Sequence, residues 1–491
     1  MSNAILLLPI FFPIVAGVLV YVLTPLKNRK TRELYLGCVW GINAALVFFI
    51  LIQPDIRYVP LYLAENLPII FKTDGPARLF TGLVSVMWIL VGVFGFEYMK
   101  HEKNEERFFM FYTITLGILV GLGFSGNLMT LYLCYEAMTL LTLPLVLHTQ
   151  TKDAISATLK YLYYSIAGAA MTLVGFFFIY IYGTSLEFTP GGVLDPAKLA
   201  GSENAMLIAI FLTIIGFGAK AGMFPLHAWL PTAHPVAPAP ASAVLSGVIT
   251  KAGVLGIVRV VFYLAGADFI RDTWVQYAWM SLTLLTVFMG SMLAFKEDLF
   301  KRRLAYSSVS QVSYVLFGLS TLTAGGVLGG FMHIIFHSLV KDALFLSAGA
   351  IIYMTHMTNV SDYRGIGKQM PITMWCFTLV SVTLVGIPPT SGFISKWYLA
   401  TGSLVSGAGA LEWIGPAVLL LSALLTAGYL LSITISGFFP GSDFDYAALE
   451  KKEANWYMTV PLVILTVLAV WFGIFPNPLA AFLTEIVNRI V

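Results

Sequence analysis

Runs of apolar residues follow one another along the whole chain, separated only by short polar connections. A helix needs roughly 20 such residues to cross the hydrocarbon of a bilayer, and counting the runs predicts about fourteen transmembrane helices. No stretch is left over for a soluble domain, so residues 1–491 read as a single transmembrane domain of an all-α polytopic membrane protein. The first run, residues 4–22, has no basic residue before it and no small-residue cleavage site after it. It reads as a retained first helix.

Two of the runs are interrupted. GFGAKAGMFPLHAWLPTAHPVAPAPASAVLSG, residues 216–247, carries Pro225, Pro231, Pro235, Pro238 and Pro240, and no continuous helix survives that density of proline. VGIPPTSGFISKWYLA, residues 385–400, carries Pro388, Pro389 and Gly392 just ahead of Lys396. Backbone groups freed at membrane depth are tolerated only where protein or a water-filled cavity satisfies them, so two broken helices, one in each half, have the pattern of an inverted-repeat transporter. A proline kink of purely structural meaning is the plain alternative for each. Lys220 precedes Pro225 and Lys396 follows Pro389 by about two helical turns or less, and that pairing of break with cation favours an ion path.

Composition sharpens the picture: 58% of residues are hydrophobic, 11% are charged, and the mean hydropathy is +0.85. Six basic residues, Lys160, Lys220, Lys251, Arg259, Lys341 and Lys396, nevertheless fall inside apolar runs. A cation at the middle of a membrane helix costs about 2.5 to 3.5 kcal/mol on insertion scales, so several of them must be solvated or paired internally. The other cations sort by side. With the amino terminus outside, the inner connections collect Lys27, Arg29, Lys30, Arg32, Lys100, Lys103, Arg107, Lys152, Lys296, Lys301, Arg302, Arg303, Arg364, Lys368, Lys451 and Lys452, against Arg57, Lys72, Arg78, Lys198, Arg271 and Arg489 outside. That asymmetry predicts both termini outside. Each basic cluster is short and sits beside a span, which argues against nucleic-acid binding. Cys38, Cys134 and Cys376 lack the paired spacing of an iron–sulfur or zinc site, so redox chemistry is expected on another chain.

Glu136, in TLYLCYEAMTLLTLPLVLH, is a mid-span carboxylate that must be protonated or face a cation, and Lys220 is the expected partner. A static ion pair joining two helices is the bland reading of the two. His333, His337 and Lys341 follow at four-residue spacing and share one helix face, a stripe suited to water-linked proton stations. Core hydrogen bonding is the first competing reading and metal binding by the two histidines a weaker one, without an evident third ligand. Lys251 is placed to pass charge from Lys220 toward the second half. His227 and His234 flank the first break, with relay and helix-end hydrogen bonding equally open. Lys160 and Arg259 lie close enough to helix ends to snorkel, and Arg259 reads as structural.

These residues carry a family resemblance. The Glu136 helix, FPLHAWLPTAHPVAPAPASAVLSGVITKAG, DLFKRRLAYSSVSQVSY, the His333 helix and GIPPTSGFISKW together resemble the antiporter-like subunits of respiratory complex I, group 4 membrane-bound [NiFe] hydrogenases and Mrp-type cation/proton antiporters. The resemblance implies a fourteen-helix fold with two inverted five-helix repeats, residues 108–265 and 274–438, and discontinuous seventh and twelfth helices. It implies a proton pathway through Glu136, Lys220, Lys251, His333, His337, Lys341 and Lys396, with Lys160, His227 and His234 as accessory residues. The second repeat is expected to lack a mid-span carboxylate mirroring Glu136. The chain ends without the long lateral helix of the largest complex I subunit of this type, and Lys396 stands where another such subunit carries glutamate. The resemblance is therefore nearest to the D-type Mrp subunit, in a hydrogenase-type or related ferredoxin-driven complex, with a gradient-driven Mrp antiporter as the alternative. It implies no cofactor on this chain, [NiFe] and iron–sulfur centres on peripheral partner subunits, neighbouring membrane subunits and lipid as partners, and a prokaryotic cytoplasmic membrane. A quinone-reducing catalytic role has no ligands to support it. A lysine axis suits protons better than sodium, which seeks oxygen ligands.

Overall fold

The computed structural model describes residues 3–445 and 450–491. Twelve helices among the described residues are long and apolar enough to cross a membrane: α1 (Asn3–Val22), α2 (Arg29–Leu51), α3 (Gly75–His101), α4 (Glu105–Gly123), α5 (Leu128–Val146), α6 (Lys152–Tyr182), α7 (Glu203–Ala221), α8 (Ala239–Ala265), α9 (Trp274–Lys296), α11 (Ala324–Thr355), α13 (Leu411–Phe438) and α14 (Trp456–Ile474). Two more elements complete the order. The serine-rich α10 (Phe300–Ser320) is too polar for that set, and α12 is split into Pro371–Val385 and Ser391–Ser403. The resulting fourteen crossings match the number the apolar runs predict. A shorter helix, α15 (Asn477–Val487), lies at the carboxyl end against α3 and α11.

Side-chain caps set several helix starts by taking up orphan backbone N–H groups. Asp74 accepts from Ala77, Asn127 from Thr130, Thr151 from Ala154 and Thr323 from Gly326. The interrupted helices end differently. The first segment of α7 stops at Gly222 (φ 80°), where the Met223 N–H bonds the Gly218 carbonyl at 2.8 Å, and the chain resumes helix only at Leu230–Val236. The first segment of α12 stops at Gly386 (φ 90°). Only glycine enters this left-handed region without a Cβ penalty, and each glycine satisfies terminal carbonyls as it does so. The expected discontinuities of the seventh and twelfth helices are present.

Burial grades from centre to periphery. The α8 apolar window is buried throughout and that of α11 over 94% of its length, whereas α13 and α14 bury only 33% of theirs. The peripheral helices expose large apolar side chains such as Phe177, Trp413, Leu420 and Trp456. With no polar rim to shield it in water, that surface is suited to lipid or to neighbouring membrane helices.

The connections form two faces. On one, Arg29 and Arg32 meet Glu105, Arg107 donates to the His148 carbonyl, Arg364 meets Asp443, and Leu299 bridges Asn359. This face gathers the basic clusters. On the opposite face, Phe71 bridges Ser125 and Asn127 bridges Glu187, and Arg57 bonds Glu187 at 2.8 Å. Here the structure departs from an all-helical chain: β1 (Arg57–Ala64) and β2 (Leu67–Lys72) pair antiparallel into a hairpin. Three cations assigned to connections from sequence are instead buried. Arg32 bonds Glu105, Lys301 donates to the Ala237 carbonyl at 2.8 Å, and Arg303 donates to the carbonyls of Glu297 and Tyr429. Each sits in the first turn or two of a helix, where the stem runs inward among neighbouring helix ends.

Candidate functional site

Lys220 closes the first segment of α7 and is 1% exposed. Its ammonium donates to Thr139 Oγ1 at 2.9 Å, to the Tyr161 hydroxyl at 2.9 Å and to Ser165 Oγ at 3.1 Å, and it lies 4.4 Å from the Tyr161 ring centroid. The expected direct Glu136–Lys220 ion pair is not formed. Glu136 is only half-buried, its Oε1 has no hydrogen-bond partner among the described residues, and Lys220 instead reaches Thr139, one helical turn further along α5. Three hydroxyls around one amine suit both of its protonation states. An ammonium donates to all three, and a neutral amine keeps two donors while one hydroxyl turns to donate to its lone pair.

The break beside Lys220 is stabilised by Trp229, whose indole N–H donates to the Ala219 carbonyl at 2.8 Å while its ring stacks on Tyr161 at 4.4 Å. Trp229→Phe keeps the stack and leaves the carbonyl with the Gly222 N–H alone. Loss of the one hydrogen bond is expected to cost about 0.5–1.5 kcal/mol, read as a lower unfolding temperature of the purified protein in detergent.

At the second break the lysine itself caps the helix end. Lys396 donates to the carbonyls of Leu384 (2.7 Å) and Val385 (2.9 Å), the last residues of the first α12 segment, and sits 5.0 Å from the Tyr314 ring centroid. A cation at a helix carboxyl end also meets the negative end of the helix dipole.

Between the breaks, Lys251 shares a 2.7 Å hydrogen bond with His337 Nδ1 and donates to the Ser246 carbonyl. Ser246 lies in a π-helical turn, Leu245–Ile249, and widened turns of this kind release carbonyls for other partners. His337 stacks on His333 with ring centroids 6.0 Å apart, and His333 bonds Ser395 Oγ at 2.9 Å, one residue before Lys396. The order in space is therefore Lys251, His337, His333, Lys396. Lys341, expected at the end of the histidine stripe, leaves it. Its ammonium turns to the Leu304 carbonyl (3.1 Å) and Ser307 Oγ (2.7 Å), and Ser307 continues to the Tyr429 hydroxyl at 2.7 Å. Lys220 packs beside α8, where a Cβ at Gly253 would stand 3.2 Å from Lys220 Cβ, while its ammonium turns to the hydroxyls of α5 and α6 rather than to the row. Among the described residues no group of three His, Cys, Asp or Glu side chains gathers as for a metal.

The accessory residues divide. His234 is fully buried, stacks on Phe345 at 4.6 Å, and neither ring nitrogen has a hydrogen-bond partner among the described residues. His227 stacks on Phe224 and, with Lys160, stays half-buried outside the row. Arg259, read as structural although near enough to a helix end to snorkel, is fully buried. It pairs bidentately with Asp74 at 2.6 and 2.8 Å between the rings of Phe188 and Tyr263.

Sequence reasoning passed over the hydroxyls that hold the lysines, and over Asp342, a fully buried carboxylate in α11. The available signal was the serine density of AYSSVSQVSY, unusual in a crossing helix.

A row of buried lysine and histidines that reaches one interrupted helix, beside a second interrupted helix that ends on a buried lysine, is the arrangement of an antiporter-like membrane subunit. Residues 125–426 match the NADH:quinone oxidoreductase/Mrp antiporter transmembrane family, and the chain belongs to it. It is 31% identical over 406 residues to the N subunit of the NADH-quinone oxidoreductase of Desulforudis audaxviator, covering 80% of this chain and 79% of that one. It is 27% identical to the D subunit of the Na(+)/H(+) antiporter of Alkalihalophilus pseudofirmus, covering 100% of this chain and 97% of the other. The fold is that of a chain in the membrane-bound sulfane sulfur reductase, an archaeal respiratory membrane complex, with a TM-score of 0.87 at 23% identity over 100% of this chain and 98% of that one.

Proposed function

We propose that this chain is the proton-translocating subunit of a redox-driven respiratory complex of the group 4 membrane-bound hydrogenase or a related ferredoxin-driven kind. The observation that carries the reading is the row from Lys251, hydrogen-bonded to His337, through the stacked rings of His337 and His333 to Ser395, next to Lys396. Protons are taken up and released by Lys220, Lys251 and Lys396 with the histidines between them, Glu136 supplying a carboxylate near Lys220 and Lys341 a side branch. Residues 108–265 and 274–438 act as two inverted five-helix units, each contributing one broken helix. The basic face lies inside a prokaryotic cytoplasmic membrane, with both termini outside. Redox centres, [NiFe] and iron–sulfur, belong to peripheral partner subunits, while other membrane subunits and lipid cover the apolar flanks.

The second reading is the D-type member of an Mrp-type Na+/H+ antiporter driven by an existing gradient, favoured by the end-to-end similarity to an antiporter chain of that type. Affinity purification of the tagged protein from its native membrane, followed by mass spectrometry, separates the two. Co-purifying nickel-site and iron–sulfur subunits support the redox complex, and an exclusive set of small Mrp membrane subunits supports the antiporter.

Lys251→Arg tests the row directly. An arginine cannot usefully deprotonate, so its permanent charge is expected to obstruct release and lower proton transport at least about tenfold in assembled complex. Transport at the native rate in membrane vesicles removes Lys251 from the path.

A further inference from the structure

Asp342 follows Lys341 in α11 but faces away from it. Successive helical residues point about 100° apart, so while the Lys341 ammonium reaches α10, the Asp342 carboxylate lies against Gly247 of α8. A Cβ on Gly247 would collide with both carboxylate oxygens, so only a hydrogen leaves room for them. Gly247 belongs to the π-turn Leu245–Ile249, whose Ser246 carbonyl receives the Lys251 ammonium and whose Gly247 carbonyl receives the Ser338 hydroxyl at 2.5 Å. Asp342 and Lys251 thus flank the same turn. The charged or titratable groups that act on the carboxylate are Lys251 from α8 and Tyr112 from α4, while on its own helix His337 turns to Lys251 and Lys341 to α10. The side chain is 0% exposed, and neither oxygen has a hydrogen-bond partner among the described residues. A buried carboxylate left in that condition is costly, and intramembrane ionisable residues mark proton relays more often than packing.

We propose that Asp342 is a proton-carrying residue of the axis, taking the proton that Lys251 releases and returning it. The proposal rests on the proton-translocation reading above. In the first step one proton leaves the Lys251 ammonium and adds to an Asp342 oxygen, giving a neutral amine and a carboxylic acid. In the second, the acid gives that proton back to the Lys251 amine and the carboxylate returns. No electron moves and no co-reactant is needed. The first step starts from an ammonium and a carboxylate and ends with two neutral groups. The pair carries zero net charge throughout, which avoids creating an isolated charge where the dielectric is low. Lys251 then exchanges protons with two partners: with His337 toward Lys396, and with Asp342 across the π-turn.

The test is pH-titrated infrared difference spectroscopy of the purified complex, unlabelled and with 13C-carboxyl aspartate, alongside proton transport in vesicles. The native complex is expected to show a titrating, label-sensitive carboxylic C=O band that Asp342→Asn lacks. The assembled variant is expected to lose proton transport at least about tenfold, with Asp342→Glu recovering part of it. Combining Asp342→Asn with Lys251→Met is expected to lose less than the product of the two single losses, as for residues acting in one step. Native-rate transport in assembled Asp342→Asn overturns the proposal, and so does the absence of any such band in the native complex, which makes Asp342 a fixed counter-ion. If Asp342→Asn does not assemble, Asp342→Glu decides: its band is expected to lose the aspartate-label shift, and a band that still shifts belongs to another residue and overturns the proposal. If the native complex moves no protons, the transport reading fails, while the band still decides whether Asp342 takes one up.

Discussion

Lys220→Met is expected to lower proton transport about a hundredfold while the chain still assembles with its partners, the scale at which a positioned proton-transfer group contributes. Methionine fills nearly the volume of the lysine stem, so packing beside Gly253 survives. What disappears is the amine that Thr139, Tyr161 and Ser165 surround. Those hydroxyls can then bond one another or nearby carbonyls, so no charge is stranded and the fold has little reason to fail. Glu136→Gln is expected to cost less, because no direct ion pair joins Glu136 to Lys220 and its action is through the local field. The measurement is the initial rate of acidification in inverted membrane vesicles, normalised to assembled complex recovered by affinity tag. An undiminished rate in Lys220→Met excludes the α7 lysine from the pathway. Equal losses in both variants imply a tighter Glu136–Lys220 coupling than the resting geometry displays.

The lysines of the axis were legible from sequence for a thermodynamic reason: a cation within an apolar run is costly, so Lys220, Lys251, Lys341 and Lys396 stand out against their surroundings. The breaks were legible because proline and glycine have a fixed backbone meaning, and both interruptions fall where those residues cluster. The partners were not. Thr139, Tyr161 and Ser165 are ordinary residues of membrane helices, and their convergence on one ammonium depends on how α5, α6 and α7 pack. The histidine stripe was right in its spacing but not in its terminus. A shared helix face does not determine where a long lysine stem ends, and Lys341 reaches α10. Asp342 escaped notice because adjacency to Lys341 suggests a local pair, whereas neighbours one residue apart on a helix do not face each other. The β1–β2 hairpin was hidden inside a connection whose alternating pattern is short and partly apolar on both faces.

Arg259 marks the limit of reading position along a helix as depth in a membrane. Near a helix end an arginine can snorkel, but this one meets Asp74, a residue 185 positions away that also caps α3. Removing one member of such a pair leaves the other charge without its partner, at a cost of up to about 3 kcal/mol where, as here, the remaining carboxylate is partly exposed. Arg259→Met is therefore expected to destabilise the protein by that amount, seen as a large drop in unfolding temperature and in yield from membranes. Asp74→Asn in the same chain is expected to restore most of the loss. Asparagine still accepts the Ala77 N–H that caps α3, and the double variant buries no charge. The aromatic walls of Phe188 and Tyr263 remain to pack on the methionine. A double variant as unstable as Arg259→Met would mean that guanidinium packing, rather than the stranded carboxylate, sets the cost. A single variant as stable as the native chain would count against the structural role read for Arg259 from the sequence.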